Sequence, residues 1–194
     1  MCAAVLRPHT ASWYKVAVNA GKTFTEPLIL TLGMDDGAQE RFDRLREAHF
    51  PPGRNHIRAH LTLFHALPGE QARSIASDLE QACRSRGPLI LKAVGLRFLG
   101  KGVAYDLRSP GYEALRKELS EKWSHWLGPQ DSYRIKPHVT VQNKVSPGRA
   151  RTLYEELQAS FVPFEVRGEG LSLWRYVGGP WEPVGSFSFG SGPR

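Results

Sequence analysis

The chain has 194 residues, enough for one domain or for two small lobes sharing a core. Hydrophobic residues make up 41% and charged residues 23%, which excludes an intrinsically disordered chain. Twenty-six Lys and Arg against 19 Asp and Glu give a formal net charge of +7 and an isoelectric point near 9.6, a surface suited to polyanions, nucleic acid first among them.

The first strand is predicted at "LILTL", from Leu28. A helix follows from Asp36 to Phe50, with Asp36 and Gln39 as a capping box, Phe42 and Leu45 on one face, and Pro51-Pro52-Gly53 as its stop. The extended run "IRAHLTLFHALPG" begins at Ile57. Next comes a strongly periodic helix from Glu70 to Arg86, whose Ala72, Ile75, Ala76, Leu79, Ala82 and Cys83 share a face. Gly87-Pro88 ends it and opens the long extended segment "PLILKAVGLRF". A short strand "VAYDL" starts at Val103. Ser109 then caps a third helix with Pro110 in its first turn and Leu115, Leu119, Trp123 and Trp126 as its apolar stripe. "IKPHVTVQNKVSPG" begins at Ile135, and Ser146 caps a fourth helix with Ala150, Leu153, Leu157 and Phe161 inward. A second long segment, "PFEVRGEGLSL", starts at Pro163, and "WEPVGSFSF" at Trp181 closes the series.

These elements form one unit used twice: strand, helix, His-x-Thr strand, helix, long strand. The two long segments share Pro, a basic residue and Gly-Leu at matching offsets, with Gly95 and Gly170 as bulge or bend positions. From His60 to Pro88 is 28 residues, and from His138 to Pro163 is 25. Two copies are too few for a solenoid. We therefore expect residues 26–190 to form a single domain of two similar lobes related by an approximate two-fold axis, with residues 1–25 as an N-terminal extension.

Strand alternation sorts the motif side chains. Ile57, Ala59, Leu61 and Leu63 share one face, and His56, Arg58, His60 and Thr62 the other; in the second copy Pro137, Val139 and Val141 oppose Arg134, Lys136, His138, Thr140 and Gln142. An apolar face under helices would leave two imidazoles and two hydroxyls to converge across a cleft on one anionic group. A lone His-x-Thr carries little information, but its recurrence at equivalent points of a repeat does. Metal ligation fits poorly. His56 and His60 would stand about 13 Å apart, His60 and His65 would point to opposite faces, and no paired cysteines supply further zinc ligands.

"HLTL" and "HVTV", 78 residues apart, resemble the paired His-x-Thr/Ser-x signatures of the 2H phosphoesterase superfamily, which includes 2′-5′ RNA ligase-like proteins and 2′,3′-cyclic phosphodiesterases. "HFPPGRNHIRAHLTLFHALPG" is also similar to bacterial proteins of the 2′-5′ RNA ligase family. The resemblance spans roughly Glu26 to Phe189 and implies a two-lobed α+β fold of the LigT-like kind, antiparallel sheets lining a central cleft with helices outside. It implies His60 and His138 as an acid/base pair, Thr62 and Thr140 as ligands of the phosphoryl oxygens, and chemistry needing no metal or other cofactor. The expected substrates are RNA ends or cyclic nucleotides, hydrolysed at a 2′,3′-cyclic phosphate or joined through a 2′-5′ linkage. An RNA-binding module using the same phosphate pocket without turnover is the alternative, and the near-symmetry leaves open which histidine is acid and which is base.

Arg58 and Lys136 share the motif face and are candidates for flanking phosphates. Tyr176, with Trp174 and Trp181 in "RYVGGPW", is a candidate for stacking on a base. Only Cys2 and Cys83 occur, "MCAAVLRPHT" lacks an apolar signal-peptide core, and the apolar runs are too short to span a bilayer. The expectation is a monomer in the cytosol.

Overall fold

The computed structural model describes residues 23–133 and 136–190. Most of the expected N-terminal extension, Cys2 and Arg134 lie outside these residues. The elements run β1 (Leu28–Met34), α1 (Asp36–His49), β2 (Leu61–Leu67), α2 (Ala72–Arg84), β3 (Leu89–Phe98), β4 (Val103–Arg108), α3 (Pro110–Lys122), the single-turn α4 (Pro129–Ser132), β5 (His138–Gln142), α5 (Pro147–Ala159), β6 (Phe164–Arg175) and β7 (Glu182–Ser188).

All strand pairs are antiparallel, and the order is β2-β1-β6-β3-β4-β5, with β7 also on β6. The repeat expected from the sequence is visible in this order. One unit is β1-α1-β2-α2-β3 and the other β4-α3-β5-α5-β6. Exchanging the units reverses the six-strand order without changing it, so the pseudo-two-fold axis passes between β3 and β6. Each unit contributes its long strand to the other's sheet: β6 pairs with β1, and β3 with β4. The motif strands β2 and β5 occupy opposite ends of this path, yet they touch, because the twisted sheet curls until its ends face one another.

Local signals account for most boundaries. Ser109 and Ser146 cap α3 and α5 by accepting from the backbone N–H groups of Tyr112 and Arg149, each with Pro at the first helical position. The cap of α1 is Asp35 and not Asp36. Its carboxylate accepts from the Ala38 N–H at 3.0 Å and, with its second oxygen, from the Arg167 N–H at 2.7 Å, which ties the helix start to β6. Gln39 therefore makes no capping box; its amide reaches Asp43 and the Ala59 carbonyl. The third helix stops at Lys122, short of Trp126, and Trp123 is buried with its indole N–H on Asp78 at 2.8 Å. Gly170 is needed for close approach, since a Cβ there would meet the Phe187 carbonyl oxygen at 2.4 Å. Gly95 has open space around it, and the irregularity in β3 lies beside it, between Ala93 and Gly95.

The helices cover one face of the sheet. Phe42 of α1 meets Tyr105 of β4 edge-on at 5.5 Å, and Trp123 meets Phe64 of β2 at 5.4 Å, so each end of the sheet is closed by an aromatic from the opposite unit. The other face is left for the cleft.

Candidate active site

His60 directly precedes β2 and Thr62 lies within it; His138 opens β5 and Thr140 follows. All four side chains are half-buried, between the fully buried Leu61 and Leu63 on one strand and Val139 and Val141 on the other. Cross-strand pairing places them on the cleft face: Thr62 lies opposite Thr31, Thr140 opposite Ala104, and His138 opposite Asp106. Neither threonine hydroxyl has a hydrogen-bond partner among the described residues. Both remain available as donors.

The imidazoles are held identically. Nδ1 of His60 lies 2.9 Å from the Arg58 carbonyl oxygen, and Nδ1 of His138 lies 3.0 Å from that of Lys136. A carbonyl oxygen only accepts, so Nδ1 carries the proton in both rings, and the neutral form keeps Nε2 as a free base. Burial disfavours the His60 imidazolium. Together with the positive charges of Arg46, His138 and His65, it pulls the pKa down to about 4 against the hydrogen bond to Arg58. Burial and Arg97 also lower His138, opposed by the Lys136 carbonyl and by the Asp106 carboxylate beside it. Each motif histidine thus has a different neighbour: a buried cation for His60, an ion pair for His138.

The backbone carbonyls of the two threonines are gripped by helices of the opposite unit. Arg46 of α1, 3% exposed, donates to the Thr140 carbonyl at 2.9 Å and to Asn55 at 3.1 Å. The Tyr112 hydroxyl of α3 donates to the Thr62 carbonyl at 3.1 Å. Next to it, Arg116 donates to the Leu63 carbonyl. Neither Arg46 nor Tyr112 stands out in the sequence, because an Arg and a Tyr at helical positions carry no local signal of a partner fifty or more residues away.

His65 corrects an expectation. Strict alternation puts it on the face opposite His60, but β2 is bulged: Thr62 pairs with Thr31 and Phe64 with the adjacent Leu30. Leu63 and Phe64 are consequently buried in succession, and His65 returns to the half-buried face of His60 and Thr62, where its charge reaches both His60 and His138. It is anchored by Asp131 of α4, which is 1% exposed and accepts from the His65 imidazole at 3.2 Å, the His65 N–H at 2.9 Å and the Ala66 N–H at 2.8 Å. Burial pushes the Asp131 carboxyl up, but these hydrogen bonds outweigh it and leave its pKa below the ordinary value. Asp131→Ala strands two backbone donors, and a loss of roughly 2–5 kcal/mol is expected at pH 7. Since the folded pKa is depressed, the part of this stabilisation that depends on the carboxylate charge is complete above about pH 4 and is lost as pH falls through the folded value, while the neutral carboxyl can still accept from the two N–H groups. Denaturant melts of the two proteins should therefore differ most at neutrality, with the gap narrowing in acid; equal stability at pH 7 would contradict this role.

Among the described residues, no three His, Cys, Asp or Glu side chains converge to hold a metal ion. The model of the 2′-5′ RNA ligase superfamily matches residues 34–180, which includes both motif strands and the elements that frame them. The chain belongs to the 2′-5′ RNA ligase superfamily. It shares its fold with solved structures: TT0787 of Thermus thermophilus (TM-score 0.64, 17% identity, 87% of this chain and 100% of that one) and Escherichia coli LigT complexed with 3′-AMP (TM-score 0.55, 17% identity, 84% and 98%). A structure described as a phosphoesterase is similar in the same way (TM-score 0.56, 15% identity, 84% and 98%). No curated protein matches the chain by sequence. The fold is the expected α+β, LigT-like one. Superfamily membership places the chain among phosphoesterase or RNA-ligase-like proteins, and no helix among its described residues is long and apolar enough to cross a membrane.

The rim of the cleft in this superfamily member differs from a simple reading of its charges. Arg58 is exposed and forms an ion pair with Asp43 at 2.7 Å, and the same carboxylate accepts from the Ala59 N–H, so Asp43 steadies the approach to His60. Lys136 is exposed, and its carbonyl holds His138. Arg97 and Asp106, which no local sequence signal marks, form an ion pair at 2.6 Å beside His138. In the "RYVGGPW" hairpin it is Trp181 that packs on His60, with ring centroids 4.7 Å apart. Trp174 backs it at 6.3 Å and donates its indole N–H to Thr31. Tyr176 stands 44% exposed at the turn, with its backbone N–H on the Pro27 carbonyl.

Proposed function

We propose that the protein is a cyclic phosphodiesterase that hydrolyses 2′,3′-cyclic phosphates of RNA ends or nucleotides by His/His acid–base catalysis. The observation that carries this reading is the paired orientation of the imidazoles. Each Nδ1–H is tied to the carbonyl two residues earlier, which presents Nε2 of His60 and of His138 for proton transfer beside two free threonine hydroxyls. His60, with the lower pKa and a cation nearby, is the base: its Nε2 takes a proton from water as the water oxygen bonds to phosphorus. His138, with Asp106 beside it, is the acid, and gives its proton to the sugar oxygen as the P–O bond breaks. Thr62 and Thr140 donate to the non-bridging oxygens as charge builds there. A ribose phosphate monoester results. An RNA 5′-hydroxyl in place of water would produce a 2′-5′ linkage at the same site.

Trp181 against His60 supplies an aromatic wall for a base or ribose, and exposed Tyr176 of the same hairpin and Lys136, two residues before His138, are candidates for further substrate contacts. Arg58 is a weaker candidate for phosphate binding than its exposure implies, because Asp43 already neutralises it. The LigT complex with 3′-AMP supports a nucleotide-sized substrate here by analogy of fold. The net charge of +7 favours RNA over a small cyclic phosphate and also fits a binding module without turnover.

Assay of the purified protein on 2′,3′-cyclic nucleotides and on RNA bearing cyclic phosphate ends tests the proposal; binding with no product on any of them would favour the binding module. Turnover is also expected to continue in excess EDTA, since the proposed steps use only imidazoles and hydroxyls. Activity abolished by EDTA and restored by one divalent metal would refute the mechanism.

A further inference from the structure

The cleft is not the only concave site. A pocket of about 360 Å³ lies between α1 and the end of α5, lined chiefly by Arg41, Arg44, Leu45, Tyr105, Leu157 and Phe161. It opens on the opposite face of the sheet from the cleft. On β4, Ala104 pairs with Thr140 and Asp106 with His138, whereas Tyr105 between them pairs with the buried Val139. Successive residues of a strand face opposite sides, so Tyr105 points away from the motif residues and into this second site.

Three features of the pocket await a ligand. Tyr105 is only 4% exposed, its ring held edge-on by Phe42 and flanked by Phe161 and Phe164 at 6.2 and 6.0 Å, yet its hydroxyl has no hydrogen-bond partner among the described residues. The hydroxyl is not sealed from solvent, so it is free to donate to a ligand that enters the cavity. Arg41 stacks its guanidinium on Phe164 at 3.7 Å, which fixes the plane and leaves the N–H edge open. Arg44, three residues on and therefore on the same helix face, joins it. Neither arginine forms an ion pair among the described residues. The remaining walls are the apolar Leu45, Leu157, Phe161 and Val162, with Ser160 as a further polar group.

We propose that this pocket binds a small organic anion: a carboxylate or phosphate head on the arginines and the Tyr105 hydroxyl, with a compact aromatic or branched apolar body against Leu45, Leu157 and Phe161. A volume near the lower end of ligand sites, which span roughly 300–1,000 Å³, fits one ring system and not a peptide or oligonucleotide. The site is independent of the reading given to the cleft, so it stands or falls by binding and not by turnover.

Titration of the isotope-labelled full-length chain with 2-naphthoate, followed by amide NMR, tests it. We expect saturable shifts confined to residues 41–45, 104–106 and 157–162, undisturbed by a 2′,3′-cyclic nucleotide. Affinity should fall about tenfold or more in the Arg41→Ala/Arg44→Ala double variant, as the loss of charge-assisted hydrogen bonds dictates. Tyr105→Phe, which keeps the packing, should weaken binding less. The neutral 2-naphthamide should bind far more weakly than 2-naphthoate, and 2-naphthyl phosphate against 2-naphthoate decides between the two anionic heads. Absence of saturation, equal binding of the amide, undiminished affinity in the folded double variant, or displacement by an equal concentration of inorganic phosphate would each overturn the proposal.

Discussion

His60→Ala and His138→Ala are each expected to lower turnover of a 2′,3′-cyclic nucleotide by roughly 10²–10⁴-fold, the usual span for general acid–base catalysis. Their pH profiles should differ. The active form of the free protein has His60 neutral and His138 protonated. The acid limb of kcat/KM therefore follows His60, near pH 4, and the alkaline limb follows His138, which lies below its ordinary value of 6.5. The wild-type kcat/KM should peak between those limits, with kcat displaced to higher pH because the bound phosphate's negative charge raises both imidazoles. Losing His60 should remove the acid limb, and losing His138 the alkaline one. A phosphodiester with a 4-nitrophenolate leaving group needs no acid, so His138→Ala should recover much of its deficit on such a substrate while His60→Ala should not. Because both groups act in one displacement, the double variant should lose far less than the product of the single losses. A wild-type rate in either single variant would refute the pairing, and the opposite pattern of recovery would exchange the two roles.

Thr62→Val and Thr140→Val are expected to cost about 10²-fold or more in turnover each, by comparison with the loss of one oxyanion donor, whereas Thr→Ser should be mild at both positions. The logic is geometric. Both hydroxyls face the cleft without an internal partner, and their backbones are clamped by Arg46 and Tyr112, so a donor sits at a fixed point where charge develops. Valine keeps the strand propensity and the shape but removes the donor. The loss should therefore appear in kcat more than in KM. If the Val and Ser variants matched in kcat at both positions, the hydroxyls would not be phosphoryl ligands.

Much of this architecture is legible in the chain because its causes are local. Alternation around "AHLTL" and "PHVTV" reports which side chains leave the helix-covered face, and the buried Leu61, Leu63, Val139 and Val141 follow it. Ser109 with Pro110 and Ser146 with Pro147 announce their helices because a cap bonds within three residues of itself. The repeat is visible because both copies keep the same order of elements. Where two local signals compete, the boundary is ambiguous by one residue: Asp35 and Asp36 are both good caps, and the choice between them is made by the Arg167 N–H on a strand 132 residues away.

Periodicity and capping, which act within a few residues, suffice to specify the secondary elements, their doubling, and the polar faces that carry His60, Thr62, His138 and Thr140. How those faces meet is a matter of pairing across the sheet, since it rests on the exchange of β3 and β6 between the units and on the curl that joins β2 to β5. The environment of each imidazole is set at the same level. Arg46, Arg97, Asp106 and Trp181 reach the histidines from other elements, and the bulge at Leu63 that turns His65 inward exists only because β1 offers one residue where β2 offers two. Side-chain type is written in the chain; the charge and solvation that separate two equivalent histidines come from neighbours that only folding brings together.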